Sequence, residues 1–171
     1  RGFKTLNINK FWRFFISLQD MRIFIITIGR LKSGPEKLLA DRFIKQITWP
    51  LTVCEVEAKK KLKPQNLIRR EGKLLVDACP KNAKIIAMDR SGQQFTSLEF
   101  ADQIKKWQHD AKNIVFIIGG PYGLDKSVIE SAELVMSFGQ LTWPHMLARA
   151  MLLEQLYRVQ QITKRHPYHK E

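Results

Sequence analysis

The sequence predicts an α/β fold in which a mostly parallel sheet is covered by helices on both faces. Continuous apolar, β-branched runs at 22–29, 83–89 and 113–123 are typical of strands that are buried on both faces. Segments with apolar residues at helical spacing separate these runs, and parallel strands need such crossover connections. The chain has 171 residues, of which 44% are hydrophobic, so it suits one domain with one packed core.

The first half of the chain alternates strand and helix. After the first strand, Ser33 precedes Pro35, and the apolar residues that follow at helical spacing predict a helix over 33–46; they are Leu38, Leu39, Phe43 and Ile44. Segment 51–58 alternates loosely between apolar and polar residues and is typical of a more exposed strand. A second helix is predicted over 64–79, before the strand at 83–89.

The second half continues the alternation. Thr96 and Glu99 form the capping-box pattern of a third helix, which runs through Trp107. The strand at 113–123 then ends in a glycine-rich turn. Two short elements follow, a helix and a strand, at 126–133 and 134–139.

A long helix is predicted over 141–165, with Thr142 as its cap. This helix is apolar almost all round, through Met146, Leu147, Ala150, Met151, Leu152, Leu153, Leu156, Tyr157, Val159 and Ile162. A surface helix has one apolar stripe, so a helix of this kind must bury a second face. We therefore expect a homodimer joined through the helix at 144–164.

Residues 1–20 form a basic and aromatic segment that precedes the first strand. The run MRIFIITIG begins at Met21 and leads directly into that strand, as a native start would. Arg13 interrupts the apolar stretch and no small-residue cleavage site follows, so a secretory signal is not indicated. We expect residues 1–20 to be an extension from upstream translation or cloning, and residues 21–171 to be the single domain.

A net charge of +13 and a pI near 10.0 favour a polyanionic partner, either nucleic acid or an anionic membrane surface. No apolar run reaches the roughly 20 residues that span a bilayer. Cys54 and Cys79 form no CxxC pair, which fits two buried thiols of a cytoplasmic protein. The clusters that could follow a phosphate backbone are Lys59, Lys60, Lys61, Lys63, Arg69, Arg70 and Lys73, then Lys164, Arg165 and Lys170.

Ligands of open α/β sheets bind beyond the carboxyl ends of the strands. Three such ends carry loop signals, at 88–92, 119–123 and 138–145. The segment GGPYG matches neither the GxGxxG dinucleotide fingerprint nor a Walker loop, so its spacing alone indicates only a turn. Pro167 separates His166 from His169 and no further ligand pattern accompanies them, so no metal site is predicted.

Five segments together resemble one known family. They are MRIFIITIG, IIAMD, FIIGGPYGL, LTWPHMLARAMLLEQLYRVQQI and the terminal HPYHKE, in collinear order over 21–171. This arrangement is similar to that of the ribosomal RNA large-subunit methyltransferase H family, of the SPOUT class. The resemblance implies an α/β knot, in which the C-terminal segment threads a loop to form a trefoil knot, and a homodimer that binds S-adenosylmethionine in the knot. It also implies methylation of N3 of pseudouridine 1915 in helix 69 of 23S rRNA, on the assembled 70S ribosome.

The resemblance also implies which residues act. The cofactor pocket would be formed by Met88, Gly120, Gly139, Gln140, Leu141, Thr142, Trp143 and Pro144. The family usually has leucine where this chain has Met88, and glutamate where it has Tyr122. The substrate side would be His145 and Arg149, and the catalytic group would be Arg158, Tyr168, His169 and Lys170.

The chemistry of the implied reaction suggests a role for each catalytic residue. Methyl transfer from a sulfonium needs no metal, since the cofactor supplies the reactive group. N3 of pseudouridine is an imide, so it must lose a proton before it becomes a good nucleophile. We expect His169 to act as the base, while Arg158 and Lys170 stabilise the developing anion. The tail after the long helix would return over the pocket, in its own subunit or in the partner's.

Three other functions agree with parts of the sequence. A knotted methyltransferase acting on another RNA, such as tRNA, would share the same motifs. A non-catalytic basic RNA-binding or ribosome-assembly protein would explain the charge, but not the two glycine-rich loops together with the histidine-bearing tail. A Rossmann-type oxidoreductase is disfavoured because GxGxxG is missing.

Overall fold

The computed structural model describes residues 21–58, 62–110 and 113–170. The predictions made for residues 1–20 and for the lysines at 59–61 concern residues outside these ranges. The described strands are β1 (Arg22–Ile28), β2 (Leu51–Val56), β3 (Lys84–Gln94), β4 (Asn113–Ile118) and β5 (Leu134–Ser137). The described helices are α1 (Pro35–Gln46), α2 (Pro64–Asp77), α3 (Ser97–Asp110), α4 (Lys126–Ser131) and α5 (His145–Thr163).

The five strands form one sheet in the spatial order β2-β1-β4-β3-β5, and every pairing is parallel. Strand β4 shows how both faces are covered, because successive side chains of a strand point to opposite faces. Ile114 and Phe116 are fully buried among side chains of α1, α3 and α5. Val115 and Ile117 are fully buried in a second cluster that includes side chains of α2 and α4. The predicted α/β class, with helices on both faces, is confirmed.

The sequence predicted capping residues for α3 and α5, and only the prediction for α3 is confirmed. The capping box at the start of α3 is present: Thr96 N donates to Glu99 Oε2 at 2.7 Å, and Glu99 N donates to Thr96 Oγ1 at 3.2 Å. The prediction that Thr142 caps the long helix is wrong. Pro144 is the N-cap residue, without a side-chain cap, and Ala148 N donates to its carbonyl at 2.9 Å. Residues 141–144 instead belong to the loop before α5.

Strand β3 is longer than predicted. The sequence pattern ended it at residue 89, before RSG, but the strand continues to Gln94 after a shift in register between Met88 and Gln93. The continuation pairs with Met136 and Ser137 of β5. A Cβ on Gly92 would lie 2.6 Å from the carbonyl oxygen of Val135, so glycine allows this close approach of two backbones.

Helix α5 is covered mainly by its own chain. It packs against α1 and α3, and five of its apolar side chains are fully buried: Ala150, Leu152, Leu153, Leu156 and Val159. Every residue from 145 to 162 is buried or half-buried. One chain therefore supplies most of the cover that was expected from a second subunit. Dimerisation through 144–164 stays a prediction that depends on the half-buried side chains.

A buried ion pair fixes the position of α5 on the sheet. The side chain of Arg149 is 1% exposed, and its Nη1 lies 2.6 Å from Glu55 Oε1. Arg149 Nη2 donates to the carbonyl of Gly29 at 3.0 Å, and Leu31 N donates to the same Glu55 oxygen at 2.8 Å. These contacts join the first turns of α5 to the carboxyl ends of β1 and β2.

The substitution Glu55→Gln tests this ion pair. A neutral amide cannot compensate the charge of a guanidinium that has been removed from water, and Arg149 cannot lose its proton. We expect the free energy of unfolding, measured by urea denaturation, to fall by about 2 kcal/mol, since Glu55 itself is partly solvated.

Glu57→Gln is the matched control, two residues further along the chain. Glu57 pairs with Arg30 at 3.9 Å, and both side chains are more than half exposed. Exposed ion pairs of this kind contribute little, so the change should stay within about 0.5 kcal/mol. Equal losses of stability in the two variants would contradict the assigned role of the Arg149–Glu55 pair.

Candidate active site

A cavity of about 640 Å³ opens at the carboxyl ends of β3, β4 and β5. Its lining comes from 88–90, from 118–124, from 136–145 without Gln140, and from Ala148 of α5. These segments follow the three strand ends at which the sequence predicted loops. They meet because β4, β3 and β5 are neighbours in the sheet. The volume lies in the range of about 300–1,000 Å³ that is usual for small-ligand pockets.

Glycines allow the loop after β4 to fold tightly beside the cavity. Gly123 N donates to the carbonyl of Gly120 at 3.0 Å, and Gly123 has a φ of +82°. A Cβ on Gly119 would lie 2.6 Å from the Gly123 carbonyl oxygen. The turn therefore excludes side chains, and its backbone borders the cavity directly. Tyr122, which is 56% exposed, lies at the tip of this turn.

Ser137 fixes the loop that follows β5. Its hydroxyl is buried, accepts a hydrogen bond from Gly139 N at 3.0 Å, and lies 2.7 Å from the carbonyl oxygen of Gly139. The same hydroxyl lies 3.2 Å from the carbonyl oxygen of Arg90, at the register shift of the neighbouring β3. Gly139 has a φ of +111°, which favours glycine. Ser137 was not predicted, although a serine two positions before a glycine is a signal for such a turn.

Most of the predicted cofactor residues lie around this cavity. Those that line it are Met88, Gly120, Gly139, Leu141, Thr142, Trp143 and Pro144. Gln140 is exposed and is not among the lining residues. Trp143 Nε1 donates to the carbonyl of Phe138 at 3.3 Å, which holds the indole across its own loop.

His145 lines the cavity from the start of α5, whereas Arg149 lies one turn deeper. Burial, and then the charge of Arg149, lower the pKa of His145 below its usual range. The imidazole of His145 is therefore neutral at neutral pH. The guanidinium of Arg149 is engaged by Glu55 and Gly29 and does not line the cavity. The substrate contact that the resemblance implies for Arg149 stays a prediction; in this structure the side chain orients the helix that carries His145.

The C-terminal tail folds back onto α5 of its own chain. The hydroxyl of Tyr168 donates to Glu154 Oε1 at 3.1 Å, and the ring packs edge-on against Tyr157 with 4.8 Å between centroids. Arg158 lies 4.9 Å from the centroid of the Tyr168 ring and also pairs with Glu154. Burial, and then the charge of Glu154, raise the pKa of Tyr168, so its phenol stays protonated at neutral pH.

The tail and the cavity are separate within one chain. Arg158 follows His145 on the same helix by about 20 Å along the axis. None of the residues 164–170 lines the cavity, so the tail of this chain does not return over its own pocket. His169 Nδ1 is buried without a hydrogen-bond partner among the described residues, and Lys170 is exposed.

The remaining surface is marked by its basic residues. Those exposed near α2 and after α5 are Lys63, Arg69, Arg70, Lys73, Lys164, Arg165 and Lys170. In the part of the chain that the structure describes, no group of three or more His, Cys, Asp or Glu residues could hold a metal ion. None of the described helices combines the length and the apolar character that crossing a membrane requires.

Comparisons with known proteins agree with this geometry. The family model described as "Predicted SPOUT methyltransferase" matches residues 21–169. The chain is 43% identical to ribosomal RNA large subunit methyltransferase H of Rhodospirillum centenum over 151 residues, which cover 88% of this chain and 99% of that protein. It is 40% identical to the protein of the same name from Paramagnetospirillum magneticum, again over 88% of this chain and 99% of the relative.

One solved structure has a similar fold. It is described as a probable methylase family protein from Haemophilus influenzae Rd KW20, and the TM-score is 0.55 over 90% of this chain and 72% of that chain. The sequence identity is 14%, so this likeness concerns the fold alone. The family match and the curated relatives show family membership as well as fold. The chain belongs to the SPOUT methyltransferase family, in the group whose curated members are named ribosomal RNA large subunit methyltransferase H.

Proposed function

We propose that this methyltransferase uses S-adenosylmethionine to methylate N3 of pseudouridine 1915 in helix 69 of 23S rRNA, on the assembled ribosome. The observation that carries this function is the cavity at three adjoining strand ends, which has a size and a lining suited to a small cofactor. The RNA substrate is supported by the names of the curated relatives and by the net charge of +13. Because its substrate is the ribosome, the enzyme acts in the cytoplasm.

The lining of the cavity fits S-adenosylmethionine in its chemistry. Met88, Leu141 and Trp143 offer apolar surface to an adenine ring, and the side-chain-free turns at Gly120 and Gly139 offer backbone N–H and C=O groups to its polar atoms. Methionine in place of the family's usual leucine keeps the apolar contact. When bound, the cofactor supplies a methyl group on a positively charged sulfur.

The residues of the tail supply the remaining chemistry. His169 accepts the N3 proton of pseudouridine, since an imidazole can act as a general base at neutral pH. Once deprotonated, N3 would have the electron pair needed to accept the methyl group that the cofactor supplies. Arg158 and Lys170 stabilise the negative charge on the base before transfer, and Tyr168 holds Arg158 in place through its ring. His145 contacts the substrate from the cavity wall.

The functional unit is a homodimer joined through the helix at 144–164, and the tail of one subunit completes the cavity of the other. The separation of tail and cavity within one chain supports this arrangement, because chemistry requires donor and acceptor in contact. The half-buried side chains of α5 supply the contact surface, among them Leu147 and Met151. Within each subunit, the C-terminal segment forms the trefoil knot that the family resemblance implies.

A transfer assay with methyl-labelled S-adenosylmethionine tests the substrate. Assembled ribosomes, naked 23S rRNA and bulk tRNA, each from cells lacking the modification, are offered to the 21–171 chain. We expect label in the ribosomes alone, at a pseudouridine, because the target is presented only by the assembled particle. Label in tRNA would move the function to another RNA. No transfer to any of the three, without cofactor binding, would leave a basic RNA-binding protein.

His169→Ala tests the general base. Loss of a positioned base typically costs a factor of 10² to 10⁴, so we expect kcat for ribosomes to fall by about a hundredfold or more with little change in cofactor affinity. His109→Ala is the matched control, because His109 is exposed near the end of α3. Turnover of His169→Ala equal to that of His109→Ala would exclude this role.

Mixing two inactive variants tests whether the site is shared between subunits. Gly119→Ala disturbs the cavity, since its Cβ would lie 2.6 Å from the Gly123 carbonyl oxygen, and His169→Ala disturbs the tail. After subunit exchange, half of the dimers contain one of each chain and one intact shared site, so roughly a quarter of the wild-type activity should return. If each tail serves its own cavity, the mixture stays inactive.

A further inference from the structure

Glu71 of α2 is a buried carboxylate beneath the glycine turn of the cavity. The residue is 5% exposed, and its Oε2 has no hydrogen-bond partner among the described residues. A Cβ placed on Gly120 would lie 3.0 Å from this oxygen and 3.0 Å from Ile28 Cγ2. The carboxyl group therefore lies against Gly120, and Glu71 itself is not among the residues that line the cavity.

No positive group near Glu71 compensates the charge of its carboxylate among the described residues. Burial raises the pKa of its carboxyl group, and no salt bridge to Glu71 occurs within the described ranges. The next residue, Gly72, meets the segment before α4, where a Cβ would lie 2.7 Å from Asp125 Cβ. Hydrogen bonds from Ser127, and then the charge of Arg69, lower the pKa of Asp125, so this neighbouring carboxylate offers Glu71 no compensating charge. An unpaired buried acid is costly, and a functional reason is expected for keeping it.

The cavity beside Glu71 is the one assigned above to a cationic methyl donor. S-adenosylmethionine carries a positive sulfur, whereas its product S-adenosylhomocysteine is an uncharged thioether with the same adenosine and amino-acid parts. Gly120 borders both, since it lines the cavity and lies against the Glu71 carboxyl group. A buried carboxylate such as Glu71 interacts with an opposite charge more strongly than a carboxylate in bulk water does.

We infer that Glu71 is a specificity-determining residue, which recognises the positive charge of the methyl donor through the glycine turn and so favours the donor over the neutral product. This role rests on the proposed use of S-adenosylmethionine in the cavity, and it needs no contact with the RNA. After methyl transfer the sulfur is neutral, so the attraction is lost and the product is released more readily. His145, which also lines the cavity, is neutral and does not oppose the donor charge.

Glu71→Gln is the decisive variant, because it removes the charge and keeps the shape. Affinities for S-adenosylmethionine and S-adenosylhomocysteine are measured by calorimetry, without any RNA. We expect the variant to bind the donor about tenfold more weakly and the product as the wild type does. Glu130→Gln is the control: it changes the net charge equally, on an exposed residue of α4, and should leave both affinities unchanged.

Two results would overturn the inference. Unchanged donor affinity in Glu71→Gln would show that the charge is not sensed, and equal weakening of both ligands would show that Glu71 only supports the turn. Failure of the proposed function looks different, because wild-type protein would then bind neither ligand, or would bind both without transferring a methyl group to ribosomes.

A second measurement uses the wild-type chain and does not depend on how the variant folds. The carboxyl carbon of Glu71 is titrated by NMR in protein labelled with ¹³C at glutamate, in complex with donor and then with product. A nearby cation favours the ionised carboxylate, so the pKa of Glu71 should be lower with the donor than with the product. Asp125, Arg69 and His145 are present in both complexes, so their effects cancel in the comparison. Identical titration curves would contradict the inference.

Discussion

The burial of one guanidinium constrains the whole carboxyl edge of the sheet. Arg149 can occupy the interior only where its charge is compensated, and Glu55 and the carbonyl of Gly29 supply that compensation at the ends of β2 and β1. Helix α5 begins one turn before Arg149, so this fixed point also determines where His145 lies and where the loop after β5 must end. The cavity at β3, β4 and β5 therefore depends on an ion pair located outside it.

The cavity and the outer surface differ in the kinds of groups that they present to a ligand. The walls of the cavity are formed largely by turns in which Gly119, Gly120 and Gly139 present backbone, and by apolar side chains. Arg90 also lines the cavity, but the exposed basic residues of α2 and of the chain end lie outside it. This arrangement suits the proposed binding of a small cofactor in the cavity and of a polyanion over a wide surface.

Much of the fold could be predicted from local pattern, because β4 is apolar from residue 114 to its end and because Thr96 and Glu99 form a local capping box. The misses involve partners distant in sequence. The extension of β3 depends on pairing with β5, and the segment RSG contains no local pattern that predicts a continued strand. Thr142 has the right chemistry for a cap, but Pro144 is the N-cap residue. The family resemblance placed Arg149 on the substrate side, and its burial, which depends on Glu55, 94 positions earlier, could not be predicted from local pattern.

The position of α5 also has a consequence for how the chain acquires its structure. Strand β1 pairs with β4, Ile25 lying beside Phe116, and Thr48 N donates to Gln160 Oε1 across 112 positions at 2.9 Å. Contacts this distant in sequence form late and slow the folding of a domain. While the last helix is still being synthesised, the face of the sheet that it will cover exposes Phe116 and its neighbours to water. The nascent chain therefore remains vulnerable to aggregation and proteolysis until its final residues have left the ribosome.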